Sequence, residues 1–450
     1  MYSRRDFLWA GVGLSAAALL MPGASFAANN KGLIAGAGRA EVDLSGMYPL
    51  GEFTGEHDPL NTRVLLLDNG SQRQAIAVID LTSITAEVIA HMKEILAQVT
   101  GVTANNAIIN ASHTFSTPHI FLHDNHGQNN ATQAQQLLDA FDTALRKAAQ
   151  QAVATLQPAT LGAGSGTCRA GVNRNVETPW GWWLGADDAG YTDPHVGVLR
   201  IDGHNGKPLA ILLNYAVQPA VMDASQSTQG GRLVSADLAG AAANYIENAC
   251  GNGTVAFYLV GSAGDQVPYL QASRHVVNSD GSVGRTDIHE EGFTLVDLLG
   301  QRLGAEAMRV ANRITPNKPG IFALQRYQVA LPAQKFSPRN APKGPVKTFT
   351  YQPSGTTEAP VTLVQWGDTA LVCVQPELSA SIGAHIRNTS VFANTFVITM
   401  SDGAAKYLPD AENYDRFTYE ARSSPFARGA AEMLAENIIK QLKQLKTHSA

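Results

Sequence analysis

Four of the chain's twelve histidines, His113, His119, His123 and His126, fall within fourteen residues. Imidazole is the commonest metal ligand and the usual acid–base group near neutral pH. They belong to the run Asn110-Ala111-Ser112-His113-Thr114-Phe115-Ser116-Thr117-Pro118-His119 and its extension, directly after an apolar stretch. Their spacings of 6, 4 and 3 fit no helical or hairpin chelate, so spacing alone allows a site loop or a solvated His-rich loop. Four further clusters carry reactive side chains. Asn214-Tyr215-Ala216-Val217-Gln218-Pro219 also follows an apolar run. Val260-Gly261-Ser262-Ala263-Gly264-Asp265-Gln266-Val267-Pro268 has the small residues that let a backbone turn closely around something. Gln375-Pro376-Glu377-Leu378 puts a carboxylate where a strand passes into a helix, a position an ordinary helix-start Glu also takes. Lys406-Tyr407-Leu408-Pro409 is followed by Tyr414, Tyr419 and Glu420. Trp180-Gly181-Trp182-Trp183 offers aromatic faces for a sugar or an acyl chain, or packs as loop aromatics.

The elements that must position these residues alternate between strand and helix patterns. Arg63–Asp68 and Ala75–Asp80 are apolar runs joined by Asn69-Gly70-Ser71, a hairpin pattern. Ile84, Val88, Ile89, Met92, Ile95, Leu96 and Val99 recur at helical spacing, and a strand is expected at Ala107–Ala111. Further helices are expected near 132–155, 239–247, 292–312, from 378 onward and near 427–445. Strands are expected near 196–199, 209–213, 255–259, 361–366, 370–375 and 395–400. Residues 332–360 are rich in Pro and Lys and read as a surface excursion or a boundary. No repeat of 20–50 residues is visible. The pattern is that of an α/β protein with its polar clusters where apolar strands end, the place where open α/β sheets hold ligands.

Composition narrows the class. The apolar fraction of 44% can build a core, which excludes a disordered chain. A net charge of −5 gives no basic face for general nucleic-acid binding. Ser3-Arg4-Arg5-Asp6-Phe7-Leu8 is a twin-arginine pattern, followed by an apolar run from Trp9 to Met21 and by Ser25-Phe26-Ala27, which suits a signal peptidase. Residues 1–27 are therefore expected to be a twin-arginine signal peptide and 28–450 one large domain, periplasmic or secreted, with no stable membrane span after cleavage. The apolar run is short for a bilayer core of about 30 Å. Cys168, Cys250 and Cys373 form no CxxC motif. Either one disulfide or free thiols is open.

Taken in order, these clusters resemble the neutral/alkaline non-lysosomal ceramidases. The likeness begins at Gly38-Arg39-Ala40-Glu41-Val42 and continues through His57-Asp58-Pro59-Leu60 with Arg63 and through Ser112–Ser116. It then includes Asn173-Arg174, Asp193–Arg200, Asn214–Pro219, Ser235-Ala236-Asp237 with Gly240, Ala263–Pro268, Glu377, and Tyr407 through Glu420. It spans about residues 36–445. The resemblance implies a single mixed-sheet α/β domain of the ceramidase catalytic type, without that family's Ig-like C-terminal domain. It also implies a zinc ion polarising an amide carbonyl and activating water. By position, His113, Glu377 and Tyr407 match three zinc ligands, Gln218 stands where the fourth, a His, is expected, and Arg174, Tyr419 and Asp265 complete the expected site. Three residues depart from the family pattern: Gln218, Phe115 in place of a second His, and Val267 in place of a Ser. An amide oxygen is a weak zinc donor. Hydrolysis of an amide in a lipid- or glycan-like envelope substrate is therefore expected, with zinc open. Two other readings use the same side chains: β-elimination from a uronate polymer, with Gln218 or Arg174 damping the carboxylate and His113, Tyr407 or Tyr419 as base, and a non-catalytic binding protein.

Overall fold

The computed structural model describes residues 32–122, 131–336 and 342–447. The signal peptide expected at 1–27, and His123 and His126, lie outside the described residues. No helix among the described residues is long and apolar enough to cross a membrane.

Three sheets carry the chain, and each is made by the same succession of elements. In the first, Ile34–Glu41 pairs antiparallel with Asn61–Asp68, which pairs antiparallel with Arg73–Ile79. The helix Ala86–Thr100 then returns the chain to Ala107–Ala111, parallel to Arg73–Ile79, and the helix Ala131–Ala154 follows. The second unit repeats this with Thr160–Thr167, His195–Asp202 and Pro208–Tyr215, the helix Asp237–Cys250, the parallel strand Val255–Val260, and the helix Gly292–Ala311. The third uses Phe322–Gln334, Pro353–Trp366 and Thr369–Val374, the helix Ala380–Thr389, the parallel strand Asn394–Ile398, and the helix Ala430–Thr447. The repeat escapes a sequence search because its period far exceeds 50 residues and only the pattern of elements recurs.

The alternation of strand side chains explains the packing. Leu65 and Leu67 point into an interior shared by all three sheets, together with Leu199, Ile201, Phe257, Leu371 and Ile398. Val64 and Leu66 point the other way, beneath the helices Ala86–Thr100 and Ala131–Ala154. The third sheet's outer face buries Val361, Leu363 and Val372 against Ile386, Leu434 and Ile438 of its two helices. Trp366, fully buried between sheets, donates from Nε1 to Gln74 Oε1 at 2.8 Å, so its one polar atom is satisfied. Strands buried on both faces are apolar throughout, which is why they are legible as runs.

One consequence decides where chemistry can occur. Two antiparallel steps restore chain direction and the crossover helix preserves it. The first, third and fourth strands of every unit therefore point the same way, and the loops that leave them gather at one end of the molecule.

The expected helices and strands are present to within a few residues, including the hairpin around Gly70. The stretch 332–360 is corrected in part. Both of its ends belong to the long antiparallel pair Phe322–Gln334 and Pro353–Trp366, whose outer register leaves the sheet and so lacks an apolar face to read. The hairpin Gly171–Thr178 and Gly181–Asp187 was not expected; its few apolar residues follow no alternation. All three cysteines are free thiols, which leaves no disulfide.

Candidate functional site

The loops at the common end enclose a cavity of about 870 Å³. His113 comes to it from the first unit, Arg174 and Gln218 from the second, and Glu377, Tyr407 and Tyr419 from the third; all six line it. Residues as much as 306 positions apart are thus neighbours because three units present equivalent strand ends to one space.

His113 follows Ala107–Ala111 directly. The backbone N–H of Ser112 and that of His113 donate to the carbonyls of Ile79 and Leu81, continuing the strand pairing. At His113 the chain turns into the left-handed region, φ 68°. Such a conformation in a bulky residue is held only where the surroundings over-determine it. The imidazole Nδ1 lies 2.5 Å from the Thr82 carbonyl oxygen, which can only accept, so Nδ1 carries the proton. Nε2 then faces Glu377 Oε2 at 3.1 Å without hydrogen-bond geometry and has no other partner.

Glu377 begins a two-residue strand, Glu377–Leu378, paired in parallel with Tyr407–Leu408. This pairing sets Tyr407 beside it. The glycine-bearing loop expected to wrap a ligand instead wraps this strand: Gly264 N–H donates to the Leu378 carbonyl, and a Cβ on Gly264 would meet the Glu377 oxygen at 2.9 Å. Burial pushes the Glu377 carboxyl up, but His113 and Arg174 outweigh it and hold the carboxyl below its ordinary value.

Arg174 is buried and contacts three groups. Nε donates to Glu420 Oε1 at 2.5 Å and one terminal N–H to Gln218 Oε1 at 2.9 Å, while the guanidinium lies 5.1 Å from the Tyr407 ring centroid and 5.7 Å from that of Tyr419. Its other terminal nitrogen has no partner. Burial opposes its charge, but Tyr407 and Glu420 outweigh that and keep it cationic. Gln218 Nε2 in turn donates to Glu377 Oε2 at 2.5 Å. The amide orientation is dictated by its neighbours, because a guanidinium can only donate and a carboxylate can only accept. Burial drives the Tyr407 phenol well above its ordinary pKa, only partly opposed by Arg174, so it stays protonated.

These facts bear on zinc. His113 Nε2 and Glu377 Oε2 converge like one edge of a coordination shell, with Nδ1 donating to a backbone carbonyl as metal-bound histidines do. The rest of the set does not complete it. Gln218 turns its NH₂ inward and commits its oxygen to Arg174, and no group of three His, Cys, Asp or Glu side chains suits a metal among the described residues. The residues present do not fit a four-coordinate zinc.

Asp265, expected at the cavity wall, is not there. Its side chain accepts from the Ala380 N–H at 2.9 Å and from Gln266 Nε2 at 3.0 Å, fixing the start of the helix that follows Glu377, and its carbonyl accepts from the Arg174 N–H. A carboxylate at a strand end met a helix start before it met a ligand. Phe115 lies edge-on to His113 at 4.9 Å, and Val267 lines the cavity. Of the Trp cluster only Trp183 lines it, edge-on to Tyr419, while Trp182 stacks under Arg416 elsewhere. His57 and Asp58 support the site from behind. His57 stacks on Phe293, and Asp58 accepts from Ser235 Oγ and from the Ala236 N–H. Thr82 was missed by sequence reasoning, since it acts through a carbonyl that any residue carries.

Solved structures define the class of fold. The neutral ceramidase from Pseudomonas aeruginosa superposes with a TM-score of 0.69 at 18% identity, covering 93% of this chain and 75% of that one. A ceramidase complexed with C2 gives 0.68 at 19% identity, covering 93% and 76%. At such identities the likeness is one of fold. The sequence profile of the neutral/alkaline non-lysosomal ceramidase N-terminal region matches residues 40–284, more than half of the chain. The chain belongs to the neutral/alkaline non-lysosomal ceramidase family, a family of hydrolases. No curated protein matches it.

Proposed function

We propose that this chain is an exported hydrolase that cleaves an amide or related bond of a lipid- or glycan-like substrate in the cavity, using its own side chains for acid–base work. The observation that carries this reading is the His113–Glu377 contact. Nδ1 is committed to the Thr82 carbonyl, so Nε2, 3.1 Å from Glu377 Oε2, is the nitrogen left to exchange a proton with the carboxylate and the substrate. Glu377 takes a proton from water as its oxygen attacks the substrate carbonyl. The Tyr407 hydroxyl donates to the carbonyl oxygen as negative charge develops on it. The proton taken by Glu377 passes through His113 Nε2 to the leaving nitrogen as the C–N bond breaks.

One observation favours elimination as a second reading. The free Arg174 N–H, beside an amide and two tyrosines, has the right chemistry to damp a uronate carboxylate. The test is Glu377→Gln against wild type on a short-chain N-acyl sphingosine, followed by amine release, and on a uronate oligosaccharide, followed by near-ultraviolet absorbance of a new C=C bond. Hydrolysis predicts amine release that falls by roughly 10²–10⁴ in the variant. A C=C product with no amine release refutes it.

A further inference from the structure

The cavity is cation-rich in a chain whose net charge is −5. Its wall carries five cationic side chains, Arg174, Arg232, Arg285, Lys343 and Lys406, against two carboxylates, Asp223 and Glu377. Three of the five are already paired with carboxylates. Arg174 donates to Glu420 Oε1 at 2.5 Å. Arg232 donates to Glu52 Oε1 at 2.7 Å and to the Phe115 carbonyl at 2.8 Å. Arg285 donates to Asp223 at 3.1 Å, to Ser273 and towards His275. These two brace loops.

What these pairs leave open is one donor on Arg174 and two exposed lysines. Arg174 is 6% exposed, yet one of its terminal nitrogens has no partner, and the residue lines the cavity. An unpaired N–H on a buried cation is unfavourable unless something accepts from it. Lys343 and Lys406 are exposed at the wall, and among the described residues no carboxylate pairs with either. His119 and His275 on the wall add no charge to this count: burial lowers His119, and burial with Arg285 brings His275 down to about 4. The opposite sign is scarce, since Glu377 is spoken for by Gln218 and His113. An acceptor on the substrate would answer the open Arg174 donor, and a charged one would answer the two unpaired lysines as well.

We propose that the cavity takes a substrate bearing a carboxylate, seated on the free Arg174 N–H with Lys343 and Lys406 as further cationic partners. The carboxylate belongs either to an acidic sugar or to an acyl chain ending in a free acid. Arg174 supplies a fixed planar donor; the lysines supply mobile charge at the mouth. This rests on the proposed function only in seating the substrate in the same cavity, not in the bond that breaks.

The test measures binding without turnover, so that a failed hydrolysis and a failed inference are told apart. Trigalacturonate is compared with its methyl ester, and an N-acyl sphingosine whose acyl chain ends in a free acid with its methyl ester, by calorimetry at low salt. Wild type is measured beside the double variant Lys343→Ala, Lys406→Ala, whose exposed side chains can be removed without opening the core. At least one acid is expected to bind about tenfold or more tightly than its ester, the scale of one or two hydrogen bonds to a charged group. The double variant is expected to reduce that preference several-fold. The pair showing the preference identifies the source of the carboxylate. Acid and ester binding alike in both pairs, or a preference unchanged in the double variant, overturns the inference.

Discussion

Gln218→His tests the reasoning about metal most directly. In the wild type, two donors of the right kind are in place, His113 Nε2 and Glu377 Oε2, 3.1 Å apart. Two ligands about 2.0–2.1 Å from zinc in tetrahedral geometry stand roughly 3.3–3.4 Å apart. One edge of a coordination shell therefore exists to within a few tenths of an ångström. Imidazole at 218 would add a third donor at a position already 2.5 Å from Glu377 Oε2. The gain in zinc affinity should exceed the roughly 10–100-fold that one outer-shell partner contributes. The substitution also removes the acceptor of an Arg174 N–H, which costs about 1.5–3 kcal/mol in the metal-free variant. Zinc at 100 times the dissociation constant returns about 2.7 kcal/mol. The expected record is thus a metal-free variant that melts below wild type, recovers on adding zinc, and binds one equivalent by calorimetry, with wild type binding zinc far more weakly. If wild-type protein binds one zinc as tightly as the variant does, the argument that Arg174 and Glu377 fix the Gln218 amide is wrong.

Two further outcomes are expected. Burial pushes the Asp265 carboxyl up to about 7 in the fold, against about 3.9 in an unfolded chain. The folded state therefore holds the proton more tightly, so the stability from this group is complete below about pH 4 and is lost as pH rises through about 7. Wild type should lose on the order of 2–3 kcal/mol between pH 5 and 8 from this source. Asp265→Asn, whose amide oxygen can still accept from the Ala380 N–H, should lack that part of the slope; equal slopes in denaturant titrations at the two pH values would sink the idea. For export, Arg4→Lys with Arg5→Lys should leave the chain uncut in the cytoplasm, and normal delivery of that double variant outside the cytoplasm would refute the twin-arginine reading.

Local chemistry was legible because it is written in adjacent residues. Apolar runs buried on both faces, such as Val255–Val260, and helices at clear spacing, such as Ala86–Thr100, show themselves without their neighbours. So do polar clusters at strand ends, within which the resemblance to the ceramidases singled out His113, Gln218, Glu377 and Tyr407. Less visible were the strands near Gln334 and Pro353, whose alternation fades where no partner face covers them.

What the tertiary structure alone decided is which of those residues share a space, and in what state. Three β-β-β-α-β-α units put their strand ends together, a relation among elements that leaves no mark on any short window of sequence. The same strand-end position holds a cavity residue in Glu377 and a helix brace in Asp265, and only the atoms around each distinguish them. The Gln218 amide has no preferred sense in the sequence. A donor-only arginine on one side and an acceptor-only carboxylate on the other give it one, and with it the character of the site.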